Sequence, residues 1–432
     1  MHADRQQLEI AIVGTGAAGL MCAIHAGRST AGIDPPVRIR AFDGAVKLGA
    51  KILVAGGGRC NVTHYQVDEK QYAGTSRNTI RNVLRRFDVE PTKAFFADLG
   101  VELKREETGK LFPVTDRAMT VLEALLGEAR RLGVVLSHPD RVSAVSVIED
   151  GTFEIVSTSG VYRSRKIVLS TGGRALPRTG SDGGGYQLAK ALGHSVTEYV
   201  FPSLVPLILD QSCPLMSLSG LTFPATLEIS EASGRRLHAF TNSTLITHFG
   251  VSGPSVLDVS RYYTAGMLES RGVSAPVLSM NVLPGMTTDD VDQWLLKGGN
   301  RGVANLLAER IPDRLARLLS DVSEIPPSTV CQSLTRDQRK RLARTLTAFV
   351  LPVIGDRGFT FAEATAGGVP LSEVNASTME SRIVPGLHFC GELLDVDGRV
   401  GGFNFQWAWS SGYIAGISVA RGLIPASETK TL

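Results

Sequence analysis

The start of the chain constrains it most. An apolar run at residues 8–13 opens onto Gly14-Thr15-Gly16-Ala17-Ala18-Gly19-Leu20 and then the helix-favouring Met21-Cys22-Ala23-Ile24. This is a Gly-x-Gly-x-x-Gly turn at the point where a first strand feeds a first helix. Gly14 permits the tight turn, Gly16 lets the backbone approach a pyrophosphate, and Gly19 lets helix and strand pack closely. The free N–H groups of the helix start, at Ala17 and Ala18, with the partial positive charge there, hold the phosphates. A second apolar strand, residues 37–42, ends at Asp43. A carboxylate in that place bonds a ribose diol, although it lies farther along than the usual interval of about 20 residues. The pattern predicts a dinucleotide-binding α/β fold.

Later segments decide which dinucleotide. After Lys51 comes Ala55-Gly56-Gly57-Gly58-Arg59-Cys60-Asn61-Val62-Thr63. Asn61 stands where the third glycine of a second dinucleotide turn belongs, and no helix-forming segment follows. Three consecutive glycines give a backbone able to lie against a flat ring or a phosphate. Residues 166–169 read as a strand running into Ser170-Thr171-Gly172-Gly173. Near the C-terminus, His388-Phe389-Cys390-Gly391-Glu392 precedes Asp395, then Gly401-Gly402-Phe403-Asn404-Phe405 and a helix of small residues from Trp407 to about Arg421. A nicotinamide dehydrogenase has no need of that ending. An FAD enzyme does, because its extended cofactor is held along the ribityl chain and again at the flavin ring.

Four segments carry a family resemblance: residues 56–63; 171–181 with 191–194; 247–254; and 363–369 with the whole of 388–416. On these the chain resembles the BaiN-like family of bacterial FAD-dependent oxidoreductases over about residues 9–422. The resemblance implies noncovalent FAD and reductive chemistry, with NAD(P)H as a transient electron donor and an activated C=C bond, of enone type, as acceptor. Two departures stand out. Asp43 replaces the more usual Glu, and Asp182-Gly183-Gly184-Gly185-Tyr186 replaces a Thr-Gly-Asp-Gly-Tyr pattern. Two other readings stay open: a flavin dehydrogenase or oxidase passing electrons to oxygen or a quinone, and a flavin-binding, redox-sensing module that contacts RNA through basic helices.

The residues expected to hold FAD are therefore Gly14, Gly16, Ala17, Ala18, Gly19, Asp43, Lys51, Gly57, Gly58, Arg59, Cys60, Asn61, Val142, Thr171, Gly172, Gly173, Gly391, Glu392, Asp395, Gly401, Gly402, Phe403, Asn404 and Phe405. Val142 is included because backbone near it meets the adenine in this fold class. Asn404 is expected to cap the last helix or bond the ring edge. Cys60 has no resolving partner, since Tyr65 stands where a Cys-x4-Cys relay needs its second thiol, so it is read as a packed residue. His248, in Thr-His-Phe-Gly, and Tyr186 are the candidate proton donors. Trp407 and Trp409 are read as packing residues. No metal site is expected.

The 432 residues are too many for one core, and 43% hydrophobic with 20% charged residues is ordinary globular composition. A net charge of +3 is too small to argue for nucleic acid, so a small-molecule substrate is expected. Five unpaired cysteines, no apolar run near the roughly 20 residues of a membrane span, and a first strand beginning within ten residues fit a cytoplasmic protein without membrane insertion. Periodicity divides the chain into a first FAD-binding segment, residues 1–195, and a second, 360–432. Between them an insert, 196–359, is β-rich at 196–285 and helical at 286–350. Thr287-Thr288-Asp289-Asp290 and Thr335-Arg336-Asp337-Gln338 read as capping boxes, residues 359–362 as a return to strand, and 427–432 as a frayed tail. The fold class predicted is α/β, a Rossmann-like two-dinucleotide-binding fold with an inserted β-barrel-like plus helical domain.

Overall fold

The computed structural model describes residues 6–270, 275–326, 328–421 and 423; the tail at 427–432 lies outside them. The chain divides into two compact units, Met1–Pro202 with Glu363–Leu432, and Ser203–Ala362.

In the first unit, strands Val135–Ser137, Ile39–Phe42, Gln6–Val13 and Gly160–Leu169 lie side by side in that order, all parallel. The far half of Gly160–Leu169 also takes Leu387–Phe389 in parallel, and its near half pairs antiparallel with Phe153–Ser157, which pairs with Val142–Val147. Ile10, Ala11 and Ile12 are fully buried in succession, as in a parallel sheet covered on both faces. Register then positions the candidate site. Val13 pairs with Phe42 and with Leu169, and Leu169 pairs with Phe389. Four strands therefore end level, and Gly14, Asp43, Ser170 and Cys390 emerge together at the carboxyl edge, where open α/β sheets bind ligands. The C-terminal helix Phe403–Arg421 packs along the first helix, Ala17–Ser29. A side chain at Gly412 would meet the Ala18 carbonyl at 2.5 Å, and one at Gly416 the Cys22 carbonyl at 2.5 Å. Its small residues thus serve a helix–helix contact.

The second unit has its own core around a seven-stranded antiparallel sheet. The order is Phe349–Val350, Val277–Asn281, Thr222–Ser230, Arg236–Thr247, Gly250–Ser252, Leu207–Leu209, Val353–Asp356. The expected barrel is not found as a closed ladder. The two end strands are joined through Leu351-Pro352, but no pairing links them among the described residues. The segment read as β-rich also contains the helix Pro254–Ser270, which the strand-like neighbours masked; proline opens it, and Val256, Val259 and Tyr263 form its buried stripe. Helices Thr288–Leu296 and Arg336–Thr347 begin with the capping boxes expected at Thr287 and Thr335. Residues 359–361 form a turn rather than a strand, because Gly358 takes a φ of +68° and its carbonyl accepts the Phe361 N–H.

Candidate functional site

The first turn behaves as its spacing requires. Gly14, at φ +99°, leaves no room for a side chain, which would lie 2.5 Å from the Ser170 carbonyl, and Gly19 abuts the Gly14 carbonyl. Nothing lies within 4 Å of where a Gly16 side chain would sit, and no side chain caps the helix start at Ala17. An approachable backbone thus meets an uncapped helix N-terminus, with Ala18 at its mouth, an arrangement able to take a phosphate on its free N–H groups. Asp43 ties the turn to the second strand. Its Oδ2 accepts the Thr15 N–H at 2.8 Å and the Thr15 hydroxyl at 2.7 Å, and its Oδ1 accepts the Ala45 N–H at 2.8 Å. A carboxylate offers about four acceptor positions, so capacity for a ribose hydroxyl remains. A side chain at Gly180 would lie 3.9 Å from Asp43 Oδ1, and Arg141, one residue before Val142, pairs with Asp182 at 2.7 Å. Neither Thr15 nor this ion pair was singled out from sequence.

Toward the other end lies the segment that carries the three consecutive glycines. Ala50–Gly58 winds a helical turn, then breaks where Ala55 takes extended angles and Gly56 and Gly57 take positive φ. A side chain at Gly57 would meet nothing within 4 Å, and one at Gly58 only the Leu53 carbonyl, at 3.8 Å. Lys51 projects from this turn to Glu392, 2.5 Å away, and the other Glu392 oxygen accepts the Thr365 N–H at 2.7 Å. The Thr365 hydroxyl in turn accepts the N–H groups of Arg174 and Ala175, holding the loop after Gly172-Gly173. Thr365 belongs to the quoted 363–369 motif but was given no role. Gly391 rests against Ala18 and is fixed by Ser411 and by the Trp407 indole. Asp395 is buried and accepts the Thr75 N–H at 3.1 Å.

Tyr186 is the most informative side chain here. It is 5% exposed, and its hydroxyl has no hydrogen-bond partner among the described residues. Burial, and then the charge of Glu392, push its pKa up, so the phenol stays protonated at neutral pH. The Asn61 side-chain oxygen is likewise buried without a partner. Two unsatisfied buried polar atoms beside glycine-lined backbone fit a bound polar ligand, since leaving each unpaired costs about 1–3 kcal/mol.

Other expected residues have different engagements. Arg59 lies over Phe112, 4.1 Å from the ring centre, and pairs with Glu106 at 2.6 Å. Cys60 is fully buried at φ +61°, and burial pushes its thiol up to about 12, which suits packing rather than redox work. Asn404 does not cap the helix: its Oδ1 accepts the Gly398 N–H at 2.8 Å and its Nδ2 donates to the Gly398 carbonyl at 3.0 Å. Phe403 stacks on His64, and Phe405 on Trp409. Gly402 lies against the backbone of Thr63, next to Gly401. Trp407 and Trp409 are buried, and their indoles donate to the Gly391 and Val62 carbonyls. His248 is exposed on a hairpin loop of the second unit. Among the described residues no cluster of three or more metal-ligating side chains occurs, and no helix is long and apolar enough to cross a membrane.

A family described as HI0933-like protein Rossmann domain matches residues 8–418. The chain is similar to the 3-dehydro-bile acid delta(4,6)-reductase of Clostridium scindens, with 34% identity over 417 residues, 95% of this chain and 99% of that one. It is similar to the ribosomal RNA dihydrouridine synthase of Escherichia coli, with 32% identity over 431 residues, 98% and 100% of the two chains. The enzyme of the same name from Haemophilus influenzae is 31% identical over 421 residues, 96% and 99% of the two.

Proposed function

Because the chain belongs to the HI0933-like family of flavin oxidoreductases, we propose that it reduces a carbon–carbon double bond conjugated to a carbonyl, with bound FAD and with NAD(P)H as donor. The relatives' names support this reaction class. A Δ4 bond in a 3-dehydro steroid is conjugated to the C3 carbonyl, and dihydrouridine is uridine whose C5=C6 bond, conjugated to the C4 carbonyl, has been saturated. FAD, when bound, supplies a hydride acceptor and donor. The chain's own residues do the rest. The 14–19 turn and the uncapped helix start hold the pyrophosphate, and Asp43 the ribose. The glycines at 57–58 and 401–402 give flat backbone for the ring, and the Lys51–Glu392–Thr365 chain keeps these segments in register.

The observation that carries the reading is the buried Tyr186 hydroxyl, which has no hydrogen-bond partner among the described residues. A phenol kept neutral by burial donates a hydrogen bond to a substrate carbonyl oxygen. That bond strengthens as negative charge develops there, which lowers the barrier to hydride addition at the far end of the double bond.

A small enone is the first substrate class. A uracil ring within RNA is the second, favoured by the names of two relatives and by a groove of about 550 Å³ lined by Lys340, Arg341, Arg344, Phe349 and Val350. Lys340 and Arg344 make no ion pair among the described residues, so the expectation that nucleic acid plays no part is withdrawn. Both classes carry anionic oxygens, a bile acid its carboxylate and RNA its phosphodiesters. The test is anaerobic titration of the purified protein with NADH and NADPH, followed by reoxidation with a 4-en-3-one steroid, a uridine-containing transcript, a quinone and oxygen. Reoxidation by the steroid or the transcript supports the proposal; reoxidation by quinone or oxygen alone overturns it.

A further inference from the structure

The second unit holds a guanidinium that none of the roles above uses. Arg357 lies between two phenyl rings, its Cζ 4.2 Å from the centre of Phe249 and 3.7 Å from that of Phe361. The guanidinium thus lies over both rings, while its N–H groups have no hydrogen-bond or ion-pair partner among the described residues. Phe361 is 48% exposed, so the sandwich stands at the surface.

Both jaws are fixed from below. His248 and Phe249 form the two-residue loop between strands Arg236–Thr247 and Gly250–Ser252, where Thr247 pairs with Gly250. The Phe249 carbonyl accepts the Leu209 N–H at 3.1 Å, and Gly250 lies so close to Leu207 that a side chain there has no room. On the other side the Arg357 N–H donates to the Pro206 carbonyl at 3.1 Å, and Asp356 accepts the Gly358 N–H at 2.7 Å, setting the turn that carries Phe361. The His248 imidazole meets the same Phe249 ring edge-on, 5.1 Å between centres, and has no hydrogen-bond partner among the described residues. Contact with two rings restricts the guanidinium, and its unpaired N–H groups remain for a ligand. A guanidinium so immobilised loses little further freedom on binding, and its parallel N–H groups match two oxygens on one centre.

We propose that Arg357, held over Phe249 and Phe361 with His248 edge-on to Phe249, binds a two-oxygen anion, a carboxylate or a phosphodiester. The choice of probes rests on the proposed function, but the site is tested by binding alone. The probes are a fluorescein-labelled oligouridylate, and a 3-oxo-4-ene steroid carrying a side-chain carboxylate beside its methyl ester. They are titrated into the full-length protein and its Arg357→Met and Arg357→Lys variants. Methionine keeps apolar packing between the rings and removes the fork.

Loss of a charge-assisted bidentate pair is expected to weaken the responding anion about tenfold or more in Arg357→Met, leave the methyl ester unchanged, and be partly recovered by lysine. If the oligouridylate responds, the slope of log Kd against log salt also falls by about 0.7, and the anion is a phosphodiester. If only the steroid acid responds, it is a carboxylate. Wild-type protein that binds neither probe, or Arg357→Met that binds both unchanged, overturns the proposal. Should Arg357→Met fail to fold, unchanged affinity in Arg357→Lys does so. Arg357-dependent binding without reduction of either probe sinks the reductase reading and keeps the site; reduction of a probe whose affinity Arg357→Met leaves unchanged does the reverse.

Discussion

Asp43→Asn separates two roles that the carboxylate combines. Its oxygens accept three hydrogen bonds, two from Thr15 and one from Ala45. Asparagine is the same size, and its single oxygen can face Thr15, which is fully buried. The Thr15 bonds then fall from charged to neutral strength, a loss of about 1 kcal/mol each, and the amide NH2 confronts the Ala45 N–H, costing about 1–3 kcal/mol more. That total, about 3–5 kcal/mol before relaxation of the turn, acts on the protein with or without cofactor, so the apoprotein is expected to melt lower. Loss of a charged partner for the ribose adds about 1.5–3 kcal/mol in the complex only, or about 10- to 100-fold in FAD affinity. The assay is thermal denaturation of the apoprotein beside rebinding of FAD followed by flavin fluorescence quenching. A lowered melting point with unchanged FAD affinity would refute the ribose contact and leave Asp43 as a clasp for the turn. No change in either would refute the whole account of the turn.

Cys60→Ser is expected to retain FAD and most NAD(P)H-driven turnover, and the folded wild-type Cys60 to resist alkylation near pH 8, since burial holds the thiol protonated up to about 12; loss of turnover by orders of magnitude in a folded, FAD-loaded variant would show a redox role. Tyr186→Phe removes one oxygen without opening the core, and should keep FAD while lowering the rate of substrate reduction about 10²–10⁴-fold in single-turnover assays. For pH, burial lowers His25 from 6.5 to about 3 and His388 to about 4. As the pH falls the unfolded chain takes up these protons first, so the stability they contribute is complete above about 6.5 and is lost toward 4 and 3. His25→Leu should flatten the decline of melting temperature between pH 6.5 and 4, and an unaltered decline would assign it to other groups.

The geometry of the first turn was legible because its determinants are local. Gly14, Gly16 and Gly19 act through backbone space within one turn, and Asp43 sits at the end of the neighbouring strand. The contacts that sequence missed are long-range: Thr15 to Asp43, Lys51 to Glu392, and Thr365 to the Arg174 loop join segments far apart in the chain, and nothing in the spacing of either partner announces them. For Asn404 the capping alternative fails, while a bond to the ring edge stays a proposal. Its place after Gly401-Gly402 matches a helix cap, but the helix already begins at Phe403 and the amide turns back to Gly398. In the second unit, helix Pro254–Ser270 was lost among flanking strands, although its apolar stripe has helical spacing. Strand content suggested a barrel-like insert but does not say whether the end strands pair, and no such pairing occurs among the described residues.

The central claim is reduction of a conjugated double bond. Its most direct test is an anaerobic incubation of the FAD-loaded protein with NAD(P)H and either a 4-en-3-one steroid acid or a uridine-containing RNA, with the product weighed by mass spectrometry. The account predicts that one substrate gains the mass of two hydrogens in stoichiometric proportion to the NAD(P)H consumed. Consumption of NAD(P)H only when oxygen is admitted, with both substrates recovered unchanged, would contradict it.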